Sequence, residues 1–355
     1  MTKKLNAVLY LLFFVSGFCG LLYQVVWLRL AFAAYGIITP VISIVISVFM
    51  LGLAVGSYAG GRVIGPLTRI TRISAIYYYS AVELLIGAGA FMVPLLFSRG
   101  TRLLFDIEQM NSFSYLLYSG AIVAAAMLPW CVMMGLTFPF MMAFIRETQK
   151  TNTQSFSFLY QANVLGAIAG TLLTAYVLVE VLGFRVSSYV AALLNFSIAL
   201  TSIVIGTRHR AIGLNVEAAP TPSTPVGRPI LTLVILFSTG FSSMAMEVVW
   251  VRAYAIIFGN TIYAFAAILA VYLGATWVGS YYYRKHLAEG VAVVDETKLI
   301  ATLAVVSCLP VLLNDPRLSE SSFMVMLSIM PFCAVLGYLT PKLIDEYSCG
   351  NPAEA

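Results

Sequence analysis

The chain has 355 residues, of which 61% are hydrophobic and 10% charged, and a mean hydropathy of +0.93; such fractions exclude an ordinary soluble domain and define a polytopic membrane protein. The formal charge of +5 comes from basic residues spread over short loops, which excludes a nucleic-acid patch on a soluble face. The five cysteines (Cys19, Cys131, Cys308, Cys333, Cys349) show no paired spacing, which argues against a disulfide framework or a thiolate metal site.

Lys3 and Lys4 precede the first apolar run, as in a signal peptide or a lipobox around Cys19. Both readings fail, because Phe18 stands where a small residue is needed and the run continues to Phe32. Stretches able to cross ~30 Å of hydrocarbon fall at 6–30, 40–61, 73–98, 113–145, 156–180 and 184–205. A Pro- and Thr-rich linker follows at 207–229, and four more spans lie at 230–255, 262–283, 297–313 and 320–345. The expected fold is all-α: a transmembrane bundle of ten helices, with a six-helix part (1–206), a cytoplasmic linker (207–229) and a four-helix part (230–355). The fourth span carries Pro129, Gly135 and Pro139 and the last carries Pro331, Gly337 and Pro341, so a kink or break is expected in each, as either a tilted helix whose cytoplasmic end projects beyond the membrane or a half-helix end lining a cavity.

The two parts echo each other. FVSGFCGLLYQVVWLR at 14–29 reappears as FSTGFSSMAMEVVWVR at 237–252, with Gly17 on Gly240 at an offset of 223 (240 − 17). That offset also places Gln24 on Glu247, Trp27 on Trp250, Arg29 on Arg252, and Gly56 and Ser57 on Gly279 and Ser280. MGLTFP at 134–139 returns as LGYLTP at 336–341, 202 residues on. These matches make helices one to four and seven to ten two copies of one unit. Fourteen Lys and Arg fall in segments that are inside if the N-terminus is cytoplasmic, four fall outside, and Arg29 and Arg252 lie within helices. The bias predicts an inner-membrane protein with both termini cytoplasmic. Six spans separate the copies, so the repeat is expected to be parallel.

Ionisable side chains inside apolar spans are expensive and count as candidate sites. Glu83 stands alone in the third span, in SAVELLIGAG, and Glu247 lies in the seventh, where its mate Gln24 keeps the shape without the charge. Each suits either an amine-binding site or an interhelical hydrogen bond. Arg29 and Arg252 end their helices; they either snorkel to the interface or find partners on neighbours, with Glu83 or backbone carbonyls expected for Arg29. Trp27 and Trp250 fit an interfacial belt. Asn163 opens a face with Gly166 and Gly170 that suits close helix packing. Chemistry is otherwise absent from the pattern: GGRVIG at 60–65 joins two helices with no preceding strand, His209 and His286 are isolated, and neither a catalytic triad nor paired catalytic carboxylates can be assembled. No catalytic residue, cofactor or metal is therefore expected in this chain.

YQVVWLR and MEVVWVR, GLAVGSYAGGR, MGLTFP, and YQANVLGAIAG followed by VLVEVLGFR resemble the membrane region of bacterial spermidine-synthase-like (polyamine aminopropyltransferase) membrane proteins, over nearly the whole chain. The resemblance implies a soluble aminopropyltransferase-like domain or subunit at the C-terminus as partner, besides the lipid bilayer, and no nucleic acid. Aminopropyltransferase activity is only implied: no position here matches the synthase's catalytic residues, and the second copy has no counterpart of helices five and six. The parallel repeat and the Gly-Ser loop also resemble the major facilitator pattern, which gives the alternative of a small-molecule or polyamine transporter. Against it, GSYAGGRVIGPLTR lacks that superfamily's loop aspartate and ten helices is two short. A structural subunit of a larger membrane complex is the third reading.

Overall fold

The computed structural model describes residues 3–36, 39–105, 111–148, 154–209, 229–314 and 321–348. The described residues are helical apart from turns and short connections, with no strand among them. Among the described residues, nine helical stretches are long and apolar enough to cross a membrane. One of them, Leu159–Arg208, has 50 residues, about 75 Å at 1.5 Å per residue and twice what one crossing needs. It turns at Gly183, whose φ of 73° and ψ of 172° no helix contains. A side chain there would be strained, and the missing Cβ is what allows the chain to finish one crossing and begin the next. The multi-span, all-helical bundle expected from the sequence is therefore present.

The chain divides into two compact units, Met1–Glu217 and Ala218–Ala355. The first holds α1 (Lys3–Tyr35), α2 (Thr39–Thr71), α3 (Ala75–Phe105), α4 (Ser112–Thr148), α5 (Gln154–Leu173, continued by a π-helical turn Thr174–Leu178) and α6 (Val179–His209). Within it α1 packs against α3, α5 and α6, α2 lies along α4, and α3 bridges α4 and α6. The start of α3 is capped from α4: the Ser74 hydroxyl and the Ala75 N–H donate to the Glu147 carboxylate, the latter at 3.0 Å. An anionic acceptor suits the orphan N–H groups of a helix N-terminus.

The second unit holds α7 (Pro229–Tyr254), α8 (Thr261–Glu289), α9 (Glu296–Val306), the short α10 (Leu309–Leu313) and α11 (Ser322–Ser348). Here α11 is the hub, packed on α7, α8, α9 and α10. The span expected at 297–313 is present as one apolar stretch, Glu296–Leu313, built from two helices. Pro310 has no N–H to give the Val306 carbonyl and its ring clashes there, so α9 stops at Val306 and a turn at Ser307–Cys308 leads into α10.

The two proline-bearing helices do not break: α4 runs for 37 residues through Pro129 and Pro139, and α11 stays helical through Pro331 and Pro341. The neighbouring helix supplies what the proline removes. Pro139 cannot donate to the Gly135 carbonyl four residues earlier, and that oxygen instead accepts the Ser57 hydroxyl of α2 at 3.2 Å. Pro341 likewise frees the Gly337 carbonyl, which accepts the Ser280 hydroxyl of α8 at 2.8 Å. Glycines permit the approach, for a Cβ on Gly56 would stand 2.8 Å from the Gly135 Cα, and one on Gly279 would stand 2.8 Å from the Tyr338 nitrogen. The Gly-Ser and GxxxP blocks that repeat in the sequence are the two halves of one helix crossing, built twice.

Ser57→Ala or Ser280→Ala leaves a buried carbonyl unpaired and is expected to cost about 0.5–2 kcal/mol. Pro139→Ala restores the lost N–H, so it should rescue Ser57→Ala in a double-mutant cycle of unfolding in detergent. Additive losses in that cycle would show that the serine does not serve this carbonyl.

Candidate functional site

Glu83 is fully buried in the first unit, on the face of α3 that meets α1 and α6. Its carboxylate accepts the Ser16 hydroxyl of α1 at 2.8 Å and the Asn195 amide of α6 at 2.6 Å. The other end of that amide, Asn195 Oδ1, accepts the Tyr23 hydroxyl of α1 at 3.0 Å. Tyr79, one turn before Glu83 on α3, brings a buried hydroxyl close to both Glu83 and Ser16. Beside them the Cys19 thiol donates to the Ala191 carbonyl of α6 at 3.7 Å. Three helices thus surround one carboxylate with neutral donors and aromatic rings, Phe13 stacking on Tyr79 and Tyr23 on Trp27. No arginine, lysine or histidine among the described residues pairs with it. These two hydrogen bonds use only part of the carboxylate's ~four lone-pair sites, and low-dielectric surroundings strengthen attraction to a positive charge.

The other sequence candidates do not gather around Glu83. Arg29 is not its partner: it sits 13 residues beyond Ser16 on α1, about 20 Å along the helix, and pairs with Glu180 at 3.8 Å while lying over the Phe184 ring at 5.3 Å. A half-exposed pair of that length contributes about 0–1 kcal/mol. Asn163 is where close packing is needed: a Cβ on Gly17 would stand 2.7 Å from the Asn163 Oδ1, and Gly166 and Gly170 lie against the α1 backbone at Phe14 and Phe18. Gln24 is fully buried, with neither amide atom hydrogen-bonded among the described residues. Trp27 does not form an interfacial belt, nor does Trp250. Trp27 is fully buried, and Trp250, 3% exposed, meets Phe332 of α11 edge-on at 5.6 Å. Both tryptophans lie on the packed side of their helices, where ring stacking outweighs a place at the lipid interface.

In the second unit Glu247 of α7 is 3% exposed and its Oε1 has no hydrogen-bond partner among the described residues, while Arg252 is exposed. Sequence reasoning missed Ser16, Tyr23, Asn195 and Glu180. A signal existed for Asn195, the only asparagine or glutamine in the sixth span, and for Glu180 at the edge of the fifth; Ser16 and Tyr23 belong to residue types too common in membrane helices to stand out. Among the described residues no group of three or more His, Cys, Asp and Glu is placed to hold a metal ion.

No protein-family model matches the chain, and no curated protein matches it. Among solved structures, the peptide transporter POT in complex with sulfate matches at 13% identity and a mutant of it, also with sulfate, at 14%; each has a TM-score of 0.48 and covers 98% of this chain and 86% of the solved one. Likeness at that level leaves the function of this chain to its own residues.

Asn195→Leu removes a donor from Glu83 and the acceptor of Tyr23 together, and is expected to destabilise the protein by about 1–3 kcal/mol in detergent. Ser197→Ala, on the exposed face two residues on, is the control and should leave the unfolding midpoint unchanged. Equal behaviour of the two variants would remove Asn195 from the cluster.

Proposed function

We propose that this multi-pass membrane protein moves a small cationic solute of the organic-amine class across the bilayer, with Glu83 as the carboxylate that receives it. The observation carrying this reading is a fully buried carboxylate, inside a membrane bundle, held by neutral donors from two other helices. Burying an ionisable group costs about 2.5–3.5 kcal/mol even on the most lenient scales, and a purely structural clamp needs no charge. An ammonium group offers a positive charge and up to three donors, and the rings of Tyr79 and Tyr23 suit a cation as well. The Lys and Arg asymmetry supports an inner membrane with both termini in the cytoplasm.

A second reading, that the bundle is the membrane module of a spermidine-synthase-like system with an aminopropyltransferase-like domain or subunit docked at the C-terminus, rests on the quoted motifs alone. Recovery of such a partner by cross-linking in native membranes would support it. The helix crossing served by Ser57 and Ser280 accounts for the Gly-Ser and GxxxP blocks without reference to a catalytic partner.

Reconstituted in proteoliposomes, the full chain should take up at least one labelled mono-, di- or polyamine saturably. Glu83→Gln should lower uptake by about tenfold or more, since it removes a charge met by the bound cation. Absence of uptake for every amine tested, or unchanged uptake by Glu83→Gln, would overturn the reading.

A further inference from the structure

α7 carries a second buried carboxylate whose surroundings are the reverse of those at Glu83. Glu247 is 3% exposed, and its Oε1 accepts no hydrogen bond from any described residue. The helices packed on α7 are α8 and α11. From α11 the titratable group within electrostatic reach of Glu247 is the buried Cys333 thiol. From α8, Tyr272 reaches the same side of α7 one turn away, where its hydroxyl meets Ser243 at 3.1 Å. No arginine, lysine or histidine of the described residues pairs with Glu247. A carboxylate with an oxygen left unpaired in such a place is far costlier than a neutral acid of the same shape.

The duplication supplies an independent observation. At the matching position of the first unit stands Gln24, also fully buried and also without a hydrogen bond at either amide atom. A glutamine has the size and shape of a protonated glutamate and cannot ionise. One copy is therefore permanently neutral at this position, whereas the other keeps the same shape with a group that gains and loses a proton.

We propose that Glu247 is a proton-carrying site: it holds a proton while closed within its unit and yields it when the position opens to water, which couples solute movement to a proton. The coupling rests on the transport reading above; the protonation itself does not. The step balances without a redox partner. An O–H bond forms at a Glu247 oxygen with a proton taken from water on one side, and the same bond breaks to water on the other, so each turnover moves one proton besides the solute.

The test uses the full-length chain with Glu247→Gln, the substitution already present at position 24 and hence compatible with a buried neutral environment. Infrared difference spectra of wild type against Glu247→Gln at neutral pH should show the carbonyl band of a protonated carboxylic acid. In proteoliposomes, amine accumulation driven by an imposed pH gradient should fall by about tenfold or more in the variant, whereas counterflow without a gradient should stay within about twofold of wild type. A carboxylate band in place of the acid band would overturn the proposal. So would loss of counterflow together with driven uptake, which would make Glu247 a solute-binding group, and so would retention of both. If the wild type transports no amine, the transport reading and the coupling fail together, and the infrared band alone then decides whether Glu247 holds a proton.

Discussion

The hydrogen bond from a serine hydroxyl to a carbonyl that a proline has stripped of its helical partner is the contact on which both units depend. In a bilayer no water is at hand to satisfy a freed backbone oxygen, so a proline inside a spanning helix demands a donor from a neighbour. Ser57 on Gly135 and Ser280 on Gly337 meet that demand. Glycine on both sides brings the backbones close enough for the short serine side chain to reach. The crossing therefore needs Gly-Ser on one helix and GxxxP on the other, and it fixes how α2 lies along α4 and α8 along α11. The remaining helices assemble on these pairs: α3 against α4 in the first unit, and α7, α9 and α10 against α11 in the second.

With the scaffold held by neutral contacts, the buried carboxylates stand out by what surrounds them. Glu83 is met by donors from two helices and sits among tyrosines. Glu247 is equally enclosed, but its Oε1 has no hydrogen-bond partner among the described residues. The first copy has glutamine where the second has glutamate, and the two positions have diverged in chemistry while keeping one shape. Under the transport reading, one carboxylate meets the solute and the other handles a proton.

Several contacts follow from helix geometry that a linear reading does not contain. Arg29 and Glu83 look like natural partners when both are placed simply in the membrane, yet about 20 Å of helix separates their levels. Arg29 finds Glu180 because α1 packs against α6, at whose start Glu180 stands. Trp27 and Trp250 have the composition of an interfacial belt but lie on the packed sides of their helices. Asn195 completes the cluster at Glu83 because α6 returns beside α3 after the turn at Gly183.

The sequence by itself determined the membrane class, the succession of spanning segments, the internal duplication and the two glutamates as unusual groups. These are properties of composition, length and spacing, which apolar solvent imposes on any chain that crosses it. Only the tertiary structure decided that Glu83 is hydrogen-bonded from two helices while an oxygen of Glu247 is left unpaired among the described residues, that the prolines of α4 and α11 leave their helices unbroken, and that α9 ends before Pro310. Those outcomes depend on whether a neighbouring helix presents a donor at the right level. Ser57 does so for Gly135 and Ser280 for Gly337, through packing between segments far apart in the chain.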